Sequence, residues 1–287
     1  MTVPEPGDNL VLSLFPGVGL LDRAFSEAGF CVCAGPDLVT GGDIREFRGV
    51  AGKFDGVIGG PPCQGFSKAN IHRGDSSHES VINSREMLRQ FVRVVEECEP
   101  TWFLCENVPS VPDVRVTTRG RFSRDDSRAV YHVQRCVISD AECGGSQIRF
   151  RHVQFGHRDG LVIRPRRVTS RRRSGPVPVA ITTKPSAKSQ TFAKQCRKQG
   201  LKETLKLPGW SKEAKFRAVG NGVPLTIGRS LAAAVACAGQ RVESDCPCGC
   251  GRQLTGKQKS ATAACRKRLQ RDRDGARPVV SIDGYQE

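Results

Sequence analysis

Short apolar runs alternate with amphipathic stretches over the first 110 residues. Asn9–Phe15 (NLVLSLF) is an apolar run closed by Pro16-Gly17, the pattern of a strand buried on both faces. Leu20, Leu21, Ala24, Phe25 and Ala28 follow at helical spacing, and Gly29 stands where that helix should stop. FCVCAG (Phe30–Gly35) and FDGVIGG (Phe54–Gly60) predict two more strands. Met87, Leu88, Phe91, Val94, Val95 and Cys98 mark one helical face that Pro100 closes, and TWFLCEN (Thr101–Asn107) predicts another strand. This alternation predicts an α/β fold, a doubly wound and mostly parallel sheet.

Tyr131–Ile138 and Arg149–Phe155 predict two later strands, and Val223–Gly239 a helix. Between Gly156 and Gly209 the periodicity fades into polar, basic, Pro- and Ser-rich sequence, which predicts a small loop-rich subdomain. After Glu243 the composition shifts to Cys, Gly, Arg and Lys. The expected division is a main domain over 1–155, a small region over 156–215, a returning helix over 216–240, a Cys-rich segment over 243–275 and a tail over 276–287.

Composition sharpens this picture. The chain has 287 residues, of which 38% are hydrophobic, enough for a real core with a small appendage. Its formal net charge of +16 favours polyanionic partners, nucleic acid before anionic membrane. Solvated surface charge would spread evenly, whereas here it clusters at Arg164–Arg173 (RPRRVTSRRR) and Arg266–Arg273 (RKRLQRDR). The start, MTVPEPGDNL, lacks the basic and apolar regions of an export signal, and Leu231–Ala238 is too short to span a bilayer. The expectation is a cytoplasmic, membrane-free protein whose 13 cysteines are reduced thiols.

Three stretches carry candidate chemistry. LFPGVGLLD (Leu14–Asp22) puts Gly17 and Gly19 between strand and helix, where a ligand can approach backbone amides; such a loop serves a tight turn as readily. Asp37 follows the second strand, where an acid binds ribose hydroxyls in nucleotide-binding α/β folds; an exposed turn is the plain alternative, for Asp43 as well. In GGPPCQGFS (Gly59–Ser67) two prolines stiffen the loop that carries Cys63, so the direction of its thiol is specified. The loop follows a strand, at the edge where open α/β sheets hold ligands, and Glu106 ends the next strand along that edge.

Together these stretches resemble the DNA cytosine-5 methyltransferases. SLFPGVGLLD resembles their S-adenosylmethionine (AdoMet) loop, GGPPCQGFS their nucleophile loop and ENV (Glu106–Val108) their strand-end glutamate. QIRFR (Gln147–Arg151) is similar to their Gln-x-Arg-x-Arg element and GNGVP (Gly220–Pro224) to their closing motif, in the same order. The resemblance implies a Rossmann-like AdoMet fold acting on duplex DNA by base flipping. It implies Cys63 as the nucleophile that adds to C6, Glu106 as the group that holds N3 and the exocyclic amine, Arg149 on the cytosine or its phosphate, and Arg151 ordering the loops. For AdoMet it implies Phe15, Gly17, Val18, Gly19, Asp37, Asp43 and Ile44, with Gly60 and Pro61 flanking the base and Leu88, Asn221 and Val223 closing the pocket.

DNA contacts are expected from Gln64, Ser67, Arg85, Gln147, Arg171, Arg172, Arg266 and Arg268, with Gly65–Asn83 as a lid that closes over DNA. The resemblance also implies a monomer, and a cognate restriction endonuclease as a possible partner. The chain departs from the family pattern with Ser13 in place of Asp, Leu20 in place of Gly and Gly222 in place of Ala. The family's Arg-x-x-Thr-x-x-Glu block is absent from the stretch between the arginine element and the closing motif, so base recognition is expected to be compact. CPCGCG and Cys265 place Cys246, Cys248, Cys250 and Cys265 as a Cys₄ zinc site, with loose reduced thiols as the alternative. Two rivals stand beside the DNA enzyme. One is the tRNA-directed branch, whose Cys-Phe-Thr tripeptide is absent here; the other is a non-catalytic DNA-binding protein on an AdoMet fold.

Overall fold

The computed structural model describes residues 9–67, 70–116, 131–168, 191–238 and 262–274. Its strands are β1 (Leu10–Leu14), β2 (Cys31–Ala34), β3 (Gly56–Gly59), β4 (Trp102–Asn107), β5 (His132–Ser139) and β6 (Phe150–His157). Its helices are α1 (Leu20–Glu27), α2 (Glu79–Cys98), α3 (Phe192–Lys198), α4 (Lys212–Asn221), α5 (Leu225–Ala236) and α6 (Ala263–Asp274). The strands form one sheet in the order β2-β1-β3-β4-β6-β5. The first four run parallel, whereas β6 lies antiparallel to β4 and to β5.

Strand alternation divides the core. Val11, Ile58, Trp102, Leu104, Val153 and Phe155 face one side, where Phe25 of α1 and Leu231 of α5 meet them. Leu12, Leu14, Val57, Phe103 and Cys105 face the other, against Met87, Leu88, Phe91 and Val95 of α2. Helices thus cover both faces of the sheet, which is why the central strands read as continuous apolar runs. The Glu27 carboxylate of α1 pairs with Arg229 of α5 at 2.6 Å, which pins these two helices at their exposed rim.

The α2 helix begins at Glu79, capped by the His78 ring, so the loop expected over Gly65–Asn83 is one turn shorter than its composition suggested. Within the region read as a separate subdomain, Cys196 and Leu201 pack with Leu20, Ala24, Val219 and Leu225. That part of the chain shares the core of the main body, because its apolar side chains find partners on α1 and α5. The sheet edges are β2, where Cys31 and Cys33 are exposed, and β5. Among the described residues no helix is long and apolar enough to cross a membrane.

Candidate active site

The parallel strands β1, β3 and β4 end on the same edge of the sheet, and the loops that leave them enclose a cavity of about 280 Å³. The loop after β3 brings Cys63 to its wall, and β4 brings Glu106 from the neighbouring strand end, so the two groups share one space. The cysteine loop is fastened at three points. The Asn107 side chain donates to the Pro61 carbonyl at 3.0 Å, and the Gly65 amide donates to Ser84 Oγ of α2 at 2.9 Å. Ser110 Oγ donates to the Phe66 carbonyl. The close approach to α2 requires glycine, since a Cβ at Gly65 would stand 2.6 Å from the backbone of Ser80 and Val81. Burial pushes the Cys63 thiol above its ordinary pKa; Arg151 and Arg149 pull it down and Glu106 pushes it further up.

Glu106 is 5% exposed and forms an ion pair with Arg151 Nε at 2.5 Å. The pairing register explains the contact. Glu106 lies opposite Val153 on the antiparallel β6, and Arg151 is two residues before Val153, on the same face. Burial raises the Glu106 pKa against the lowering pull of Arg151 and Arg149. Arg149 goes elsewhere: one terminal nitrogen donates to the carbonyls of Gly220 (2.5 Å) and Gly222 (3.2 Å). Burial, helped by the charge of Arg151, pushes its pKa down to about 9. Arg151, expected to order the loops, meets the acid, and Arg149, expected on the cytosine or its phosphate, donates to the closing loop while its buried Nε keeps no partner among the described residues.

The other end of the cavity is the loop after β1. Phe15 sits at φ 56°, a strained conformation for a side-chain-bearing residue, and Gly17 follows at φ 58° with open space where a Cβ would be. Asp37 accepts the amides of Gly17 (2.8 Å) and Val39 (2.7 Å), which ties the glycine loop to the turn after β2. Asp43 is held by Arg45 at 2.5 Å. Phe15, Gly17, Val18, Asp37, Asp43, Ile44, Gly60, Pro61, Asn221 and Val223 all line the cavity. An open glycine cradle, apolar walls and acids at the rim fit a cofactor with an adenosyl group and a cationic amino-acid arm.

Other expected residues stand elsewhere. Leu88 is 1% exposed within the α2 core, because its helical position faces the sheet and not the cavity. Gly19 caps α1 and lies outside the cavity lining. Gln147, expected on DNA, is fully buried and donates to the Lys198 carbonyl at 2.7 Å. It belongs to an amide cluster with Gln199, whose side chain donates to the carbonyls of Val219 and Gly222. Gln64 lines the cavity mouth, Ser67 follows it in the same loop, Arg85 is half-buried on α2, and Arg266 is exposed on α6. Arg167, within the first basic run, pairs with Glu142 at 3.0 Å.

Arg171, Arg172, Cys246, Cys248 and Cys250 lie outside the described residues, as does the side chain of Arg268. Cys265 is buried on α6 beside Thr262, and among the described residues no cluster of three or more His, Cys, Asp or Glu could hold a metal. Sequence reasoning missed Ser84, Asn107, Arg45 and Asp22. Asp22 lines the cavity and accepts the Ser13 hydroxyl at 2.6 Å. Its one signal was an acid in the first helical turn after the glycine loop.

Fold and site together define a doubly wound α/β protein that presents a thiol and a buried carboxyl beside a cofactor cradle. Residues 37–200, more than half of the chain, match the family of C-5 cytosine-specific DNA methylases, and the chain belongs to that family. It is 29% identical over 170 residues to the type II methyltransferase M.FnuDI of Fusobacterium nucleatum, covering 53% of this chain and 48% of that one. It is 37% identical over 127 residues to the type II methyltransferase M1.HphI of Haemophilus parahaemolyticus, covering 43% and 33%. The chain thus spans about half or less of the length of these curated relatives. The structure of the Entamoeba histolytica methyltransferase EhMeth shares the fold, with a TM-score of 0.51 at 11% identity, covering 78% of this chain and 96% of that one.

Proposed function

We propose that this protein transfers a methyl group to C5 of cytosine in duplex DNA, with AdoMet as donor and the target base flipped into the cavity. The observation that carries the reading is the meeting of Cys63 and Glu106 in one cavity, at the ends of adjacent parallel strands. C5 of cytosine is a weak nucleophile. Addition of the Cys63 thiolate to C6 forms a sulfur–carbon bond and makes C5 an enamine carbon. Glu106, whose pKa burial raises against the pull of Arg151 and Arg149, holds N3 and the exocyclic amine and so stabilises the charge that builds on the ring. AdoMet supplies the electrophilic methyl on its sulfonium sulfur. Loss of the C5 proton then expels the Cys63 thiolate and restores the ring double bond.

Arg151 holds Glu106 in place, and Arg149 fixes the Gly220–Gly222 wall while its Nε remains available to the substrate. A cytosine stacked in a duplex cannot reach a thiol in the wall of a cavity, so the base must leave the stack. The decisive experiment is labelled-methyl transfer to unmethylated genomic DNA and to tRNA, run beside Cys63→Ala. Transfer to DNA that vanishes in the variant is expected. Transfer to tRNA alone, or persistence in the variant, would overturn the reading.

We also propose that Cys246, Cys248, Cys250 and Cys265 hold zinc, on the strength of their spacing and the need of so short a segment for a staple. Metal analysis of the purified full chain should find one zinc, lost in Cys265→Ser. A metal-free wild-type protein would remove the ion from this account.

A further inference from the structure

Two carboxylates border the glycine-loop end of the cavity, and neither has a cationic partner among the described residues. Asp22 accepts the Ser13 hydroxyl and Asp37 accepts the Gly17 and Val39 amides. The remaining acids of the lining are matched, Asp43 by Arg45 and Glu106 by Arg151. Among the described residues no ion pair involves Asp22 or Asp37. Asp22 is partly withdrawn from water, which raises its pKa, and the charge of Asp37 pushes the same way. Like charges in a sheltered space are costly when unpaired, and a bound cation relieves both at once.

We propose that Asp22 accepts a hydrogen bond from the α-ammonium of the cofactor's methionyl arm, with Asp37 adding to the attraction. The inference rests on the AdoMet reading above. That cofactor carries two cationic centres. Its sulfonium has to face the base, beside Cys63 and Glu106 at the ends of β3 and β4. Asp22 stands at the start of α1, beside Ser13 near the end of β1, and so is matched to the other cation. The assignment also suits the chemistry, because a carboxylate set against the sulfonium would itself compete for the methyl group. Nothing in the spacing of the motif points to this residue; the cavity and the missing counter-ion do.

The test compares calorimetric titrations of S-adenosylhomocysteine, which keeps the ammonium but carries no sulfonium, and of its deaminated analogue. Wild-type protein should bind the amine-bearing ligand about tenfold to a hundredfold more tightly, the range of a charge-assisted hydrogen bond. Asp22→Asn should erase that gap while leaving the affinity for the deaminated analogue near the wild-type value, and Ser13→Ala should preserve it. If melting curves show that the Asn variant does not fold, Asp22→Ser makes the same comparison. Equal weakening of both ligands, or an undiminished gap, would overturn the assignment and leave the cofactor reading standing. Failure of the wild-type protein to bind S-adenosylhomocysteine would overturn both.

Discussion

A sulfur atom in this site works against its surroundings. Burial disfavours the Cys63 thiolate, Arg151 and Arg149 favour it, and Glu106 opposes it. The reactive fraction is therefore small at neutral pH and grows as pH rises through the elevated thiol pKa. Iodoacetamide modification of the Cys63 peptide, followed by mass spectrometry, should accelerate steadily above pH 8. Arg151→Ala should displace this profile to higher pH and Glu106→Gln to lower pH; a profile indifferent to both would show that the three groups do not share one field. Sequence motifs pointed to Cys63, Glu106 and most of the other residues that line the cavity, because loops fixed by proline and glycine carry their meaning locally. The partners of Arg149, Arg151 and Gln147 were not legible. Arg151 meets Glu106 through the register of β6 on β4, whereas Arg149 and Gln147 precede that strand and meet the carbonyls of Gly220 and Lys198, far along the chain.

Elements position these residues through a few fixed contacts. The cysteine loop rests on the first turns of α2 through Gly65, with no room for a side chain there. Gly65→Ala should displace the loop and lower the methyl-transfer rate by about a hundredfold, the scale of an ångström-level misplacement. Binding of S-adenosylhomocysteine should change little, since Gly65 lies outside the cavity lining. A rate within threefold of wild type would mean that the contact can give way. At this scale the sequence was most informative: the alternation of apolar runs and helical faces marked every strand of the sheet. It under-read the start of α2, where Ser80 and Ser84 look like loop residues but accept hydrogen bonds from Asn70 and from Gly65 of the cysteine loop. It also set α3 apart from the core it shares, because a seven-residue helix is too short to display periodicity.

Across the whole molecule, charge decides the partner. A net charge of +16 predicts DNA affinity that falls steeply with salt, as phosphate contacts release counterions. Truncation after Gly239 removes the Arg266–Arg273 run and should both weaken binding and flatten the dependence of log affinity on log salt. Equal slopes for the full and truncated chains would place the DNA contacts on the main body alone.

The open edge at β2 has a practical consequence. Cys31 and Cys33 stand exposed on a strand that has one unpaired side among the described residues. Two copies meeting there in air can be sealed by an intermolecular disulfide, so a dimer seen without reductant reports on handling rather than on the native protein. Particle mass should be read in fresh thiol, with Cys31→Ser/Cys33→Ser as the control that keeps storage chemistry out of the answer.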